Sequence, residues 1–223
     1  MMQPLAPEPE LVLFDLDGTL VDSAPDLIAA AGVLCRELGE PPPEGHRVRE
    51  AVSAGGRAIL RRALPNADAV RIDVVLPRFL DIYAGTIAVH SRLFPGLDES
   101  LVRIERAGIP WGIVTNKPVW LARPLLDALG LSGRCAVLVG GDTLVVKKPD
   151  PEPVRHACAA VGADPSASAF VGDDPRDVEA GRAAGTRTLV AAWGYLDGAD
   201  PRDWGADAIV TDPSALPLAL GIA

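Results

Sequence analysis

Apolar and polar positions along the chain fall into two regimes. The first begins with Leu11-Val12-Leu13-Phe14, a short continuous apolar run that ends in acid and glycine. Such a run predicts a strand buried on both faces of a parallel sheet. Ser23 then opens a helix, because it is a favoured N-cap, Pro25 lies in the first turn and Asp26 follows three positions on. Leu27, Ile28, Ala31, Leu34, Cys35 and Leu38 recur at helical spacing until Gly39 and Pro41-Pro42-Pro43 stop them. From Glu44 to about Val89 the pattern is helical throughout, broken by Gly55-Gly56 and Pro65. Leu93-Phe94-Pro95-Gly96 marks a sharp return.

The second regime alternates. Strands are predicted over residues 111–115, 136–139, 169–172, 188–191 and 208–210, with helices over 97–107, 119–129, 151–161 and 175–184 between them. Alternation of this kind predicts an α/β fold with a parallel sheet covered on both faces. The all-helical block interrupts it directly after the first strand and its turn. The expected division is therefore a core of residues 1–20 and 91–223 and a helical cap of residues 21–90. The first ten residues read as a short lead-in.

Composition narrows the function classes. At 223 residues the chain has room for one large domain, or one with a smaller partner. Its formal net charge of −9 argues against a nucleic-acid partner. Cys35, Cys135 and Cys158 are odd in number and without CxxC spacing, so they read as reduced, mostly buried thiols of a cytoplasmic protein. MMQPLAPEPE has neither a basic nor an apolar signal region, and no apolar run approaches 18 residues, so no membrane partner is expected.

Open α/β sheets bind ligands at the carboxyl ends of their strands. Asp15, Asp17, Gly18 and Thr19 follow the first strand, and Thr115 and Asn116 follow the second. Lys147 and Lys148 precede the helix at Pro151, while Gly172, Asp173, Asp174 and, one turn on, Asp177 follow the fourth strand. Clustered carboxylates repel one another, and a hard cation such as Mg²⁺ relieves that with oxygen ligands and a phosphate oxygen. One carboxylate is then free to attack phosphorus. Lys148, the Thr115 hydroxyl and backbone N–H groups around Leu16 and Asn116 are candidates to neutralise the phosphoryl charge. A calcium loop beginning at Asp15 is excluded by Leu20 and Asp26 at its sixth and twelfth positions.

LFDLDGTLVDS, VTNKP, KKPDPEP and FVGDDPRD resemble, in order and spacing, the four motifs of the haloacid-dehalogenase superfamily. The resemblance spans Leu11 to about Pro213, and the stretch Val21 to Leu27 is similar to its phosphoglycolate-phosphatase-like branch. It implies a Rossmann-like core, an inserted helical cap and Mg²⁺-dependent phosphomonoester hydrolysis. It further implies that Asp15 is the nucleophile that forms an aspartyl-phosphate, with Asp17 as general acid and then base. Thr115 would hydrogen-bond the phosphoryl group and Lys148 would clamp it. Asp15, Asp17 (through its backbone carbonyl) and Asp173 would hold the metal, with Asp177 behind them. Asp174 is expected either at a metal-bound water or as the cap of the helix at Pro175. Lys148 rather than Lys147 is the expected site lysine.

The helical loop Val52 to Arg57 is the candidate substrate reader. Gly55 and Gly56 let backbone N–H groups approach a ligand, and Arg57 suits a carboxylate; Asn116 joins them as a substrate contact. Ser53-Ala54-Gly55-Gly56, Trp193-Gly194-Tyr195 and Asp203-Trp204-Gly205 resemble the N-acetylmuramic acid 6-phosphate phosphatases of peptidoglycan recycling within that branch. The expected partner is thus a small phosphomonoester, and the expected state monomer or homodimer. The alternatives are a 2-phosphoglycolate phosphatase, a sugar phosphomutase of the same superfamily, or a silent binding protein on this scaffold. His46, His90 and His156 are expected to be structural or exposed.

Overall fold

The computed structural model describes residues 7–222. The beginning of the expected lead-in, residues 1–6, lies outside them. Strand β1 (Leu11–Phe14) is buried along its whole length. After a turn comes the two-residue strand β2 (Val21–Asp22), and then four helices: α1 (Ala24–Glu37), α2 (Gly45–Glu50), α3 (Gly56–Ala63) and α4 (Ala69–Ala84). Strand β3 (Arg92–Leu93) returns the chain, paired antiparallel to β2. Alternation follows: α5 (Leu97–Arg106), β4 (Trp111–Val114), α6 (Val119–Ala128), β5 (Val137–Val139), α7 (Glu152–Val161), β6 (Ser168–Gly172), α8 (Pro175–Ala184), β7 (Arg187–Ala191), β8 (Ala208–Val210) and α9 (Leu216–Ala219). In this second regime every expected boundary lies within one residue of the observed one.

Six strands form one parallel sheet in the order β5-β4-β1-β6-β7-β8. The chain winds outward from β1 to β4 and β5, then crosses back to β6 on the other side. Both neighbours of β1 therefore open a crevice at their carboxyl ends, where winding reverses. Side chains alternate across the sheet. Val12 and Phe14 join one apolar cluster, Leu11 and Leu13 the other, which is why the run reads as continuously apolar. Phe14 meets the edge of Trp111 at 6.2 Å between ring centres.

Ser23 precedes α1 as expected, but its hydroxyl caps nothing. Ser23 has helical backbone angles (φ −94°, ψ −6°) rather than the extended ones a side-chain cap needs, and its hydroxyl donates to Asp17 instead. Asp26, buried in the first turn of α1, accepts from the N–H of His90 and from both N–H and hydroxyl of Ser91 at 2.6–2.9 Å. That ties the start of the helical segment to its end. No helix among the described residues is long and apolar enough to cross a membrane.

Candidate active site

Asp15 directly follows β1, and its N–H donates to the carbonyl of Val171 on β6 (2.9 Å), which fixes it at the crevice. Lys148 reaches it from the loop before α7. The ammonium lies 2.9 Å from Asp15 Oδ1 and 2.7 Å from Asp177 Oδ1, and donates to the Val114 carbonyl at 2.7 Å. The contact to Asp15 is an ion pair without hydrogen-bond alignment, so Asp15 Oδ1 is buried with no donor of its own. Asp173, at the end of β6, accepts from the Thr19 hydroxyl (2.8 Å) on one oxygen. Its other oxygen accepts from the Ser53 hydroxyl (2.7 Å) and the Tyr195 N–H (2.8 Å). Backbone crowds this carboxylate. A Cβ on Gly18, whose φ is +90°, would lie 2.1 Å from Asp173 Oδ2, and one on Gly194 2.3 Å from the Asp173 Cβ.

Carboxylate oxygens of Asp15, Asp173 and Asp177 lie within 4.8 Å of one another, all three residues buried. Burial, reinforced by the Asp15 charge and only partly offset by three hydrogen bonds, pushes Asp173 up to about 7. Burial also holds Asp177 well above the carboxylate range, despite Lys148. Burial alone would lower Lys148, but Asp15 and Asp177 outweigh it and raise the ammonium to about 12. A trio of buried carboxylates facing one ammonium, with an orphaned oxygen on Asp15, suits an oxygen-loving divalent cation.

This predicts a pH signature for the metal-free protein. Asp173 has a folded value above its unfolded one. Its contribution to stability is present below the ordinary carboxylate range near ~4 and is lost as pH rises through about 7. Thermal midpoints from pH 4 to 8 should therefore fall more steeply for the wild type than for Asp173→Asn. Parallel curves would contradict it.

A second buried pair sits beside the first. Lys117 Nζ lies 3.0 and 3.2 Å from the two oxygens of Asp17 and donates to the Tyr83 hydroxyl at 2.9 Å. Ser23 completes the grip on Asp17. The Asp17 side chain thus points at Lys117 rather than into the carboxylate trio, whose third member is Asp177. Lys117 was not among the expected site residues. Its signal is the basic residue directly after Thr115-Asn116 at the same strand end. Tyr83 carries no such signal, because α4 brings it in from a distant part of the chain.

The other expected residues divide. Thr115 is buried at the crevice and its hydroxyl accepts from the Lys117 N–H (3.2 Å). Asn116 donates to the Lys148 carbonyl (3.0 Å), which braces the lysine's loop, and leaves its own Oδ1 buried without a partner. Lys147 is exposed while Lys148 is buried. Asp174 caps α8: it accepts from the Arg176 N–H while Asp177 accepts from the Asp174 N–H, a reciprocal box. Asp177 therefore serves helix and crevice together. His46 and His156 lie outside the crevice and His90 is held through its backbone, none of them lining the cavity.

Above the floor opens a cavity of about 340 Å³. Leu27, Val52, Ile59, Leu76 and Leu80 of the helical segment give it an apolar wall opposite Asp15, Thr115 and Lys148. Gly55, Gly56 and Arg57 line it too, but Arg57 pairs with Asp73 at 2.6 Å, both side chains more than half exposed. Ser53, in the same loop, faces Asp173. Arg176 donates to the Ser53 carbonyl (2.8 Å) and so holds that loop to α8. Arg176 lies in the GDDPRD run, where a basic residue one turn from two acids was its signal.

A family model described as haloacid dehalogenase-like hydrolase matches residues 9–185. The chain belongs to this family. It is 46% identical over 207 residues to an N-acetylmuramic acid 6-phosphate phosphatase of Pseudomonas aeruginosa, covering 92% of each chain. It is 45% identical over 209 residues to a phosphoglycolate phosphatase of Xanthomonas campestris pv. campestris, covering 93% of this chain and 95% of that one. The crystal structure of a predicted phosphoglycolate phosphatase from Haemophilus somnus 129pt superimposes with a TM-score of 0.84 at 27% identity, over 93% and 96% of the two chains. The haloacid dehalogenase-like hydrolase described here is thus a phosphatase of the branch that holds these relatives.

Proposed function

We propose that the enzyme hydrolyses N-acetylmuramic acid 6-phosphate through an aspartyl-phosphate at Asp15, beneath a cap formed by residues 21–90. The observation that carries this reading is the pairing of buried Asp15 and Lys148 under a cavity with an apolar wall. A sugar phosphate bearing acetamido and lactyl groups has apolar surface for that wall, whereas phosphoglycolate has almost none. Relatives named for the sugar phosphate support the choice.

In the proposed sequence Asp17 enters as the carboxylic acid: a carboxylate oxygen of Asp15 attacks phosphorus while the sugar oxygen leaves and takes that proton, which leaves the Asp17 carboxylate in the grip of Lys117 and Ser23. Water then attacks the phosphorus of the aspartyl-phosphate and gives its proton to Asp17, which restores Asp15 and releases phosphate. Lys148 balances charge at Asp15, and the Thr115 hydroxyl faces the phosphoryl group. Lys117 and Ser23 set the direction of the Asp17 carboxylate. Asp15, Asp173 and the Asp17 carbonyl are the groups that would hold Mg²⁺. Such an ion, when bound, neutralises phosphoryl charge. Closure of the cap excludes bulk water, and reopening exchanges product for substrate.

A second reading, 2-phosphoglycolate as substrate, is favoured by relatives so named at equal identity. Phosphate release from the two compounds with Mg²⁺ separates them. The expected result is a kcat/KM at least roughly a hundredfold higher for the sugar phosphate, since filling or emptying a sized apolar pocket changes specificity by about that much. A preference for phosphoglycolate would overturn the substrate and leave the nucleophile standing.

A further inference from the structure

Tyr195 touches two places that the reaction needs to keep in register. Its backbone N–H donates to Asp173 Oδ2 at 2.8 Å. Its side chain reaches the other way, where the hydroxyl donates to Asp22 Oδ1 (2.6 Å) and accepts from the Ala24 N–H (3.1 Å). Asp22 ends β2 and Ala24 begins α1, so the hydroxyl grips the point at which the chain leaves the sheet for the helices. The ring between these ends is 5% exposed and lies so close to Gly18 that a Cβ there would meet it at 2.7 Å. A rigid aromatic spacer thus separates Asp173 from the start of the helical segment. Burial, and then Asp22, push the phenol pKa up, which keeps the hydroxyl a donor.

Arg49, on α2, closes the arrangement from the helical side. Its guanidinium grips Asp22 through two nitrogens at 3.0 and 3.1 Å and lies 4.9 Å from the centre of the Tyr195 ring. Unlike Lys148, this pair is partly solvated, with side chains 40% and 29% exposed. It can therefore open and close without stranding a buried charge. Neither residue lines the cavity or touches Asp15.

We propose that Tyr195 and Arg49 are positioning residues that, through Asp22, tie the angle of the helical segment to the placement of Asp173. The kinetic consequence rests on the phosphatase reading above, because the angle held while this contact is latched is what sets Leu76 and Leu80 over Asp15. The angle itself is a property of the protein that can be measured without turnover.

The test compares wild type, Tyr195→Phe and Arg49→Gln, each with spin labels at Val74→Cys and Leu218→Cys, positions 72% and 57% exposed, and with Cys135→Ser. Pulsed dipolar spectroscopy should give a distribution dominated by one latched distance for wild type and one broadened roughly twofold in both variants. In unlabelled enzymes, kcat/KM should fall roughly tenfold for N-acetylmuramic acid 6-phosphate and less than about twofold for acetyl phosphate, which is too small to reach the wall. Mg²⁺ affinity by calorimetry should be unchanged, since Tyr195→Phe keeps the N–H to Asp173. Unchanged widths, or equal losses on both substrates, overturn the proposal. Wild type that ignores the sugar phosphate overturns the substrate reading instead, and the label distances still decide the lock.

Discussion

Asp15→Asn is expected to lower kcat by roughly 10⁵-fold, the scale on which enzymes lose their nucleophile. The amide retains the size and position of the carboxylate, including the backbone bond to Val171. It removes the oxygen that would form the bond to phosphorus. It also removes one of three mutually repelling carboxylates that face a single ammonium. The thermal midpoint of the metal-free variant should therefore equal or exceed that of the wild type. Loss of activity with undiminished stability separates a chemical role from a structural one. Turnover within tenfold of wild type would move the nucleophile elsewhere.

Lys148→Met should do the opposite, losing stability as well as activity. The ammonium is 3% exposed and shared between Asp15 and Asp177, both buried. Its removal leaves two carboxylates without a counter-charge, and breaking a buried pair costs about 3–5 kcal/mol. For a chain of this size that corresponds to a midpoint lower by roughly 10 °C. The loss has a pH dependence of definite sign. Without Lys148 the folded-state value of Asp177 rises further, so stability is kept where that acid is protonated and lost as pH rises. The deficit should be small near pH 4 and full at pH 8. Adding Asp177→Asn should recover part of it, because the two sites share one contact. Turnover should drop by at least roughly a thousandfold, on the scale of deleting one fixed donor at a developing charge. A midpoint unchanged at pH 8 would show that the pair is not what balances this crevice.

How much of this was legible in the chain depends on the range of the forces involved. Strand β1 was legible because both faces are buried and four consecutive apolar residues are needed to cover them. Helix α8 was legible because its start depends on nearby residues: Asp174 caps it, Pro175 begins it and Asp177 answers the cap. Asp15 and Asp173 could be named because strand ends in an open parallel sheet must meet at one edge, whereas Lys148 is set apart from Lys147 only by the resemblance of KKPDPEP to a family motif. Ser23 misled for a local reason, since its hydroxyl had a stronger acceptor in Asp17 than the N–H groups of its own helix. Lys117 carries little signal although adjacent to Asn116, because a lone lysine after a strand is ordinarily solvated. Here Asp17 and Tyr83 bury it.

The sequence by itself determined the alternation of strands and helices, the helical interruption after β1, and the acids that follow β1 and β6 at the crevice. Each of these is set by periodicity or by neighbours within a few residues. The tertiary structure alone decided partners across the chain. Ser53 meets Asp173 from 120 positions away, and Tyr195 meets Asp22 from 173 away. Such contacts have no local signature, because hydrogen-bonding side chains of this kind are equally at home in water. Only the folding of the helical segment over the sheet removes the water and leaves them to one another.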